Sequence, residues 1–242
     1  MQSKRTRLDR FLSHYLSIKR KDVRLLLAQG RVQVDHQLAT DIQQYVDEYT
    51  HVKFDDTIVQ DKTPSYIMLH KPQGVVSATK DAKHTTAIDL LPDNAPPNLH
   101  IVGRLDFNST GLLLLTNDGR WSRRLTTPES QINKRYLVGV DKPISQEIIT
   151  AFAEGIYFAF EDLTTRPASL SVMENLTGGY FAEVVLAEGR YHQIKRMFGH
   201  FQIKVLSLHR FSVGNLTLDE ELLETQSRHL TQQEISTIFD SK

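Results

Sequence analysis

The sequence contains no cysteine in 242 residues. Disulfides, thiolate zinc sites and cysteine nucleophiles are therefore excluded. It also lacks any apolar run near the length of a membrane span. Its first residues, MQSKRTRLDRF, carry no apolar signal-peptide core. These absences predict a cytoplasmic protein with no membrane partner. No GxxxxGK(S/T) is present, no GxGxxG opens a helix after a strand, and there is no GxSxG elbow. Histidines are scattered, and His192 and His200, eight apart, have no HExxH or Cys/His companion. Neither a metal nor another cofactor is expected.

Net charge is missing as well, because 29 Lys and Arg balance 29 Asp and Glu. The balance is uneven along the chain. Between Met1 and Arg31, Lys4, Arg5, Arg7, Arg10, Lys19, Arg20, Lys21, Arg24 and Arg31 face only Asp9 and Asp22. Such asymmetry fits an anionic partner, and it fits a solvated helix face equally well.

Leu8, Phe11, Leu12, Tyr15 and Leu16 follow helical spacing, and a second helix is predicted from about Lys19 to Gln29. That helix buries Val23, Leu26 and Leu27 and stops at Gly30. RVQVD then alternates as a strand. This basic unit is small and needs later strands, up to about Val59, to bury a core. QDKTP, Gln60 to Pro64, reads as a linker. Beyond it the chain reads as one α+β domain. Strands are predicted at YIMLH, GLLLLT, RYLVGV, YFAEVVLA and IKVLSL. Helices fall near Ile144 to Phe152, His192 to Phe201 and Thr231 to Phe239.

Two stretches carry candidate chemistry. In GRLDFNSTGLLLLTNDG, Leu112 to Leu115 is a short apolar run suited to burial on both faces, and Asn117-Asp118-Gly119 reads as its closing turn. Asp106 precedes it in a connection held by a strand, where either a local turn or an active-site role suits a carboxylate. In EGRYHQIKRMFGHF, Ile194, Met197, Phe198 and Phe201 share one helix face, and His192, Lys195 and Arg196 share the opposite one. Arg190 precedes that helix. Solvent exposure and phosphate contact explain this basic face equally well. HKPQGVVSAT and NKRYLVGV each join basic residues to a strand edge, where Tyr136 also suits plain packing.

The order KPxG, GRLDxxSTGLLLLTNDG, KxY, EGRYHQIKRM and LxLxRxxxG (LSLHRFSVG) resembles the RsuA-type pseudouridine synthases over nearly all of Tyr66 to Lys242. DGRWSRRLTTP and LTTRPA also resemble segments of that family. The N-terminal unit is similar to a small RNA-binding module first recognised in a small-subunit ribosomal protein, the alpha-L motif. Its usual VDG turn reads VDH here, with His36 where glycine takes positive φ easily.

The resemblance implies an alpha-L RNA-binding domain at 1–60, a linker at 61–65, and a catalytic domain at 66–242 built on a mixed or antiparallel sheet. It implies an enzyme that breaks the N–C glycosidic bond of a uridine in RNA, rotates the base and rejoins it through carbon. By the same resemblance Asp106 is the nucleophile and Lys195 its basic partner. Tyr136 stacks on the target base, and Leu208 belongs to the apolar pocket. Arg104, Arg190, His192 and Arg196, with Arg20, Lys21 and Arg24 of the N-terminal module, are the candidate RNA contacts. The expected substrate is one uridine of small-subunit (16S) ribosomal RNA, met in a partly assembled subunit by a monomeric enzyme. A sister enzyme for large-subunit (23S) RNA and a non-catalytic assembly factor are the alternatives. The short ending LTQQEISTIFDSK speaks against the first, and Asp106, Tyr136 and Lys195 together speak against the second.

Overall fold

In the computed structural model of the chain, residues 5–173 and 178–240 are described. Lys4, counted above in the basic stretch, lies outside them. The chain divides into two compact units, Met1–Pro64 and Ser65–Lys242.

The first unit runs β1 (Thr6–Arg7), α1 (Leu8–Tyr15), α2 (Arg20–Ala28), β2 (Val32–Val34), β3 (Gln37–Leu38), β4 (Tyr45–Val46), β5 (Val52–Phe54) and β6 (Thr57–Gln60). Leu8 and Leu12 of α1 and Val23 and Leu27 of α2 meet Val32, Val34 and Val52 in one small core. Tyr15, expected on the apolar face, ends its helix half exposed. Gly30 follows α2 at φ +69°, the left-handed conformation that closes many helices. The VDH turn joins β2 to β3 in a two-residue hairpin, with Val34 opposite Gln37. Asp35 and His36 both take positive φ, +48° and +66°, as a right-twisted hairpin requires. Side chains and backbone support the turn without glycine. The His36 ring stacks on His51 at 4.2 Å, and the Asp35 carboxylate accepts from the His51 amide at 3.0 Å.

The second unit runs β7 (Tyr66–Lys71), β8 (His100–Val102), β9 (Thr110–Thr116), α3 (Gly119–Thr126), β10 (Lys134–Val140), α4 (Gln146–Glu154), β11 (Tyr157–Phe158), β12 (Leu163–Thr164) and β13 (Ser169–Met173). It continues through β14 (Tyr180–Leu186), α5 (Gln193–His200), β15 (Val205–Val213), β16 (Leu216–Thr217), β17 (Ser227–His229) and α6 (Gln232–Thr237). Among the described residues, nine strands form one sheet in the order β13-β14-β10-β15-β9-β7-β17, with β16 on β15 and β8 on β9. The pairing is antiparallel except between β9 and β15. This is the mixed, mostly antiparallel sheet of the expected α+β class.

The four leucines of β9 follow from burial on both faces. Leu113 and Leu115 enter a core with Tyr136, Val138, Phe152 of α4 and Ile194, Met197 and Phe198 of α5. Leu112 and Leu114 enter a second core with Trp121 and Leu125 of α3 and Ile238 beyond α6. Each buried leucine contributes about 2 kcal/mol of transfer free energy. A strand covered on both faces loses the alternation of a half-exposed one.

Two sequence expectations change here. Asp118 is less a turn residue than the N-cap of α3, its carboxylate accepting from the amides of Arg120 and Trp121 at 2.8 and 3.2 Å. The strand expected at IKVLSL starts at Val205 and runs on to Val213, so HRFSV is extended sheet.

Candidate active site

Asp106 lies in the connection between β8 and β9, and backbone contacts hold that connection in place. The Ser77 hydroxyl donates to the Leu105 carbonyl at 2.7 Å and accepts from the Leu105 amide at 3.0 Å. The Gly74 amide donates to the Phe107 carbonyl, and the Ser109 amide to that of Asp106. Lys71, the first residue of KPQG, is fully buried at the end of β7. Its Nζ donates to the carbonyls of Pro72 (2.9 Å), Asp106 (3.1 Å), Phe107 (3.4 Å) and Ser109 (2.8 Å). Burial pushes the Lys71 ammonium down to about 8. One lysine thus gathers the carbonyl of Asp106 itself with those of the residues that follow it.

The carboxylate itself meets two nitrogens. Lys195 Nζ stands 2.8 Å from Oδ2 and His192 Nε2 stands 3.4 Å from Oδ1. Lys195 reaches it from the first turn of α5. His192 is not on the helix face assigned above. It is the N-cap residue, at φ +50°, and this sparsely populated conformation is part of how its ring comes to face Asp106. Tyr191 stacks on that ring at 3.8 Å.

Glu188 organises the approach to α5. It is buried, and its Oε1 accepts from the Arg166 amide (2.9 Å) and from Gln193 Nε2 (2.7 Å). Its Oε2 accepts from Arg190 Nε at 3.1 Å. The motif EGRYHQ therefore reads as a carboxylate satisfied by its own following segment, which fixes where Tyr191 and His192 stand.

A cavity of about 550 Å³ opens at Asp106, with Ser77, Arg104, Lys134, Tyr136, His192 and Arg210 among its walls. Tyr136 reaches it from β10, opposite Arg210 on β15, with little of its own surface exposed. Arg190 also lines the cavity, and Arg104 stands exposed at it. Of the expected site residues, Asp106, Tyr136, Lys195, Arg104, Arg190 and His192 are thus brought together.

The remainder go elsewhere. Leu208 sits opposite Val138 in the core and is not among the cavity walls. Arg196 pairs with Glu161 and lies over the Phe158 ring at 3.9 Å, tying α5 to the β11–β12 hairpin. Arg20, Lys21 and Arg24 are exposed on α2 of the first unit. Lys71, Ser77, Lys134 and Arg210 were not singled out from sequence. Each does lie in a motif quoted above, KPQGVVSAT, NKRYLVGV or LSLHRFSVG, and its placement depends on partners far along the chain.

The geometry thus sets a carboxylate, ion-paired to a lysine, at a cavity of about 550 Å³ that a tyrosine also lines. Residues 65–200 match the family model for RNA pseudouridylate synthase. The chain belongs to that family and is a pseudouridine synthase, an isomerase acting on RNA.

The likeness extends well beyond the matched segment. The ribosomal small subunit pseudouridine synthase A of Pseudomonas aeruginosa is 48% identical over 233 residues, covering 96% of this chain and 100% of that relative. Its namesake in Escherichia coli is 36% identical over 233 residues, 96% of this chain and 99% of the relative. A crystal structure of a pseudouridylate synthase superposes with a TM-score of 0.68 at 35% identity, over 96% of this chain and 99% of that one. No helix among the described residues is long and apolar enough to cross a membrane.

Proposed function

We propose that the protein converts one uridine of small-subunit (16S) ribosomal RNA to pseudouridine, with Asp106 as nucleophile. The observation that carries this reading is the Asp106 carboxylate, held 2.8 Å from Lys195 at a cavity that Tyr136 lines. The substrate choice is supported by likeness, end to end, to relatives named for the small ribosomal subunit.

The residues suit the chemistry. A fixed anionic oxygen can attack the sugar or the uracil ring, or remove a ribose proton, while positive character develops on the sugar. Lys195, 2.8 Å away, gives that oxygen a cationic partner and holds it in place. Tyr136 offers an aromatic surface to a base already outside its stack. The reaction rearranges existing atoms without a change of redox state, so it calls for no metal, nucleotide or redox cofactor. Residues 1–60 act as an alpha-L-type RNA-binding domain, joined through 61–65 to the catalytic domain 66–242. Such a module grips RNA beside the target and adds specificity that a pocket for one uracil lacks. A grip of that kind needs folded RNA, which suits a partly assembled small subunit as the substrate of a monomeric, cytoplasmic enzyme.

The test is to incubate the purified enzyme, in chelator, with small-subunit particles, large-subunit particles and naked RNA from a strain lacking the gene. Pseudouridine is then mapped in each. One modified uridine in small-subunit RNA is expected, with none from a homogeneous Asp106→Asn variant. Modification confined to large-subunit RNA would overturn the substrate, and turnover by the Asn variant would overturn the nucleophile.

A further inference from the structure

Two cations at the Asp106 cavity take no part in the pairing of Asp106 with Lys195 and His192. Lys134 begins β10 and Arg210 lies in β15, and both line the cavity together with Tyr136. Tyr136 stands opposite Arg210 in the sheet register, and Lys134, two residues earlier on β10, shares its face.

Arg210 is 4% exposed. Its Nε donates to the Leu112 carbonyl at 2.9 Å and its Nη1 to that of Arg104 at 3.4 Å. Its Nη2 is buried and has no hydrogen-bond partner among the described residues. The Lys134 side chain has neither a hydrogen bond nor an ion pair among them. Burial pushes its ammonium down to about 8, and the neighbouring Arg210 charge adds to the effect. The nearby carboxylate, Asp106, already faces Lys195 and His192. Arg210 is buried and Lys134 half-buried, and two adjacent cations so placed with no carboxylate of their own are costly, a cost that an incoming anion relieves.

We infer that Lys134 and Arg210 form a phosphate subsite within the cavity, which takes a phosphodiester of the RNA strand beside the uridine presented to Asp106. The inference rests on the reading of this cavity as the active site. Arg210 Nη2 supplies a directed N–H and Lys134 a compact charge, a combination suited to a phosphate oxygen. Such a contact reads no sequence. It fixes where the sugar–phosphate chain runs and therefore where the target ribose stands against the carboxylate. It also offsets the repulsion between that phosphate and Asp106, two anions brought into one cavity.

Lys134→Met keeps the aliphatic stem and removes the charge, whereas Arg210 variants risk the fold because that side chain also holds two backbone carbonyls. Affinity for a transcript of small-subunit ribosomal RNA is measured against salt for wild type, Lys134→Met and Lys134→Arg. The Met variant is expected to bind about tenfold more weakly. Its log–log salt slope becomes shallower by about 0.7 to 0.9, the contribution of one phosphate contact. Lys134→Arg restores both. Uridine and uridine 3′,5′-bisphosphate are then compared as inhibitors of turnover on that transcript. The bisphosphate is expected to inhibit the wild type at least about tenfold more strongly, an advantage that shrinks in Lys134→Met. Equal inhibition by the two compounds, or an unchanged affinity and salt slope in Lys134→Met, would overturn the subsite. Turnover by Asp106→Asn with the Lys134 effects intact would instead locate the failure in the nucleophile assignment.

Discussion

Lys71 shows how a residue that is not among the cavity walls can set the geometry of one that is. Its ammonium is buried among the carbonyls of Pro72, Asp106, Phe107 and Ser109 and has no ion-pair partner among the described residues. Lys71→Met retains the stem and orphans those carbonyls. Misplacing a reacting group by about 1 Å costs on the order of 100-fold in rate. Turnover in single-turnover assays should therefore fall by about that factor, with RNA affinity little changed. Wild-type turnover in a folded Met variant would show that Lys71 does not position the loop. The burial has a pH signature too. The folded-state pKa of about 8 lies below the ordinary lysine value of 10.5, so the unfolded chain holds the proton more tightly. Wild type should gain stability relative to Lys71→Met as pH rises from about 8 toward 10.5. Paired thermal melts across that window check the sign.

At the scale of elements, the contact between β9 and β15 depends on Gly111. This residue has φ +107°, and a Cβ there would stand 2.2 Å from the Arg210 carbonyl oxygen, a backbone atom that cannot swing aside. Gly111→Ala should destabilise the second unit by about 3 kcal/mol, measured by denaturant unfolding. A loss below about 0.5 kcal/mol would mean that the strands part easily. The glycine was legible only as a member of GRLDFNSTG, since its role is defined by a strand about a hundred residues later. The same limit explains what sequence reading missed. The leucine run stands out as an unbroken apolar stretch, and α4 and α5 by their apolar periodicity. In α3 only Trp121 and Leu125 are apolar over eight residues, too few to show a period, and its start was read as a turn. β8 and β17 have three residues each, and partners rather than propensity make them strands. Asp106, Tyr136 and Lys195 stood out only through the resemblance of their spaced motifs to a family, whereas the meeting of Lys134 and Arg210 at one cavity needed the register of β10 against β15.

For the whole molecule, the uneven charge noted in the sequence falls largely within the first compact unit. Arg20, Lys21 and Arg24 are exposed along α2 there. If that unit grips RNA, replacing all three with Gln should weaken binding and make the salt slope shallower by about 2 to 3 units, near 0.7 to 0.9 for each lost contact. The rate of the chemical step at saturating RNA should be unchanged. An unaltered slope would place α2 outside the RNA footprint.

The parallel contact between β9 and β15 pairs only Thr110 with His209 and Gly111 with Arg210. It joins two otherwise antiparallel halves, with β8, β7 and β17 on the β9 side and β10, β14, β13 and β16 on the β15 side. Asp106 leads into β9, whereas Tyr136 stands on β10 and Lys195 on the helix that leads into β15. Asp106 and the residues it faces are therefore carried by opposite jaws of one clamp. A fluctuation that parts this junction takes Asp106 away from Lys195 before either half has melted, so heat should silence the enzyme ahead of unfolding.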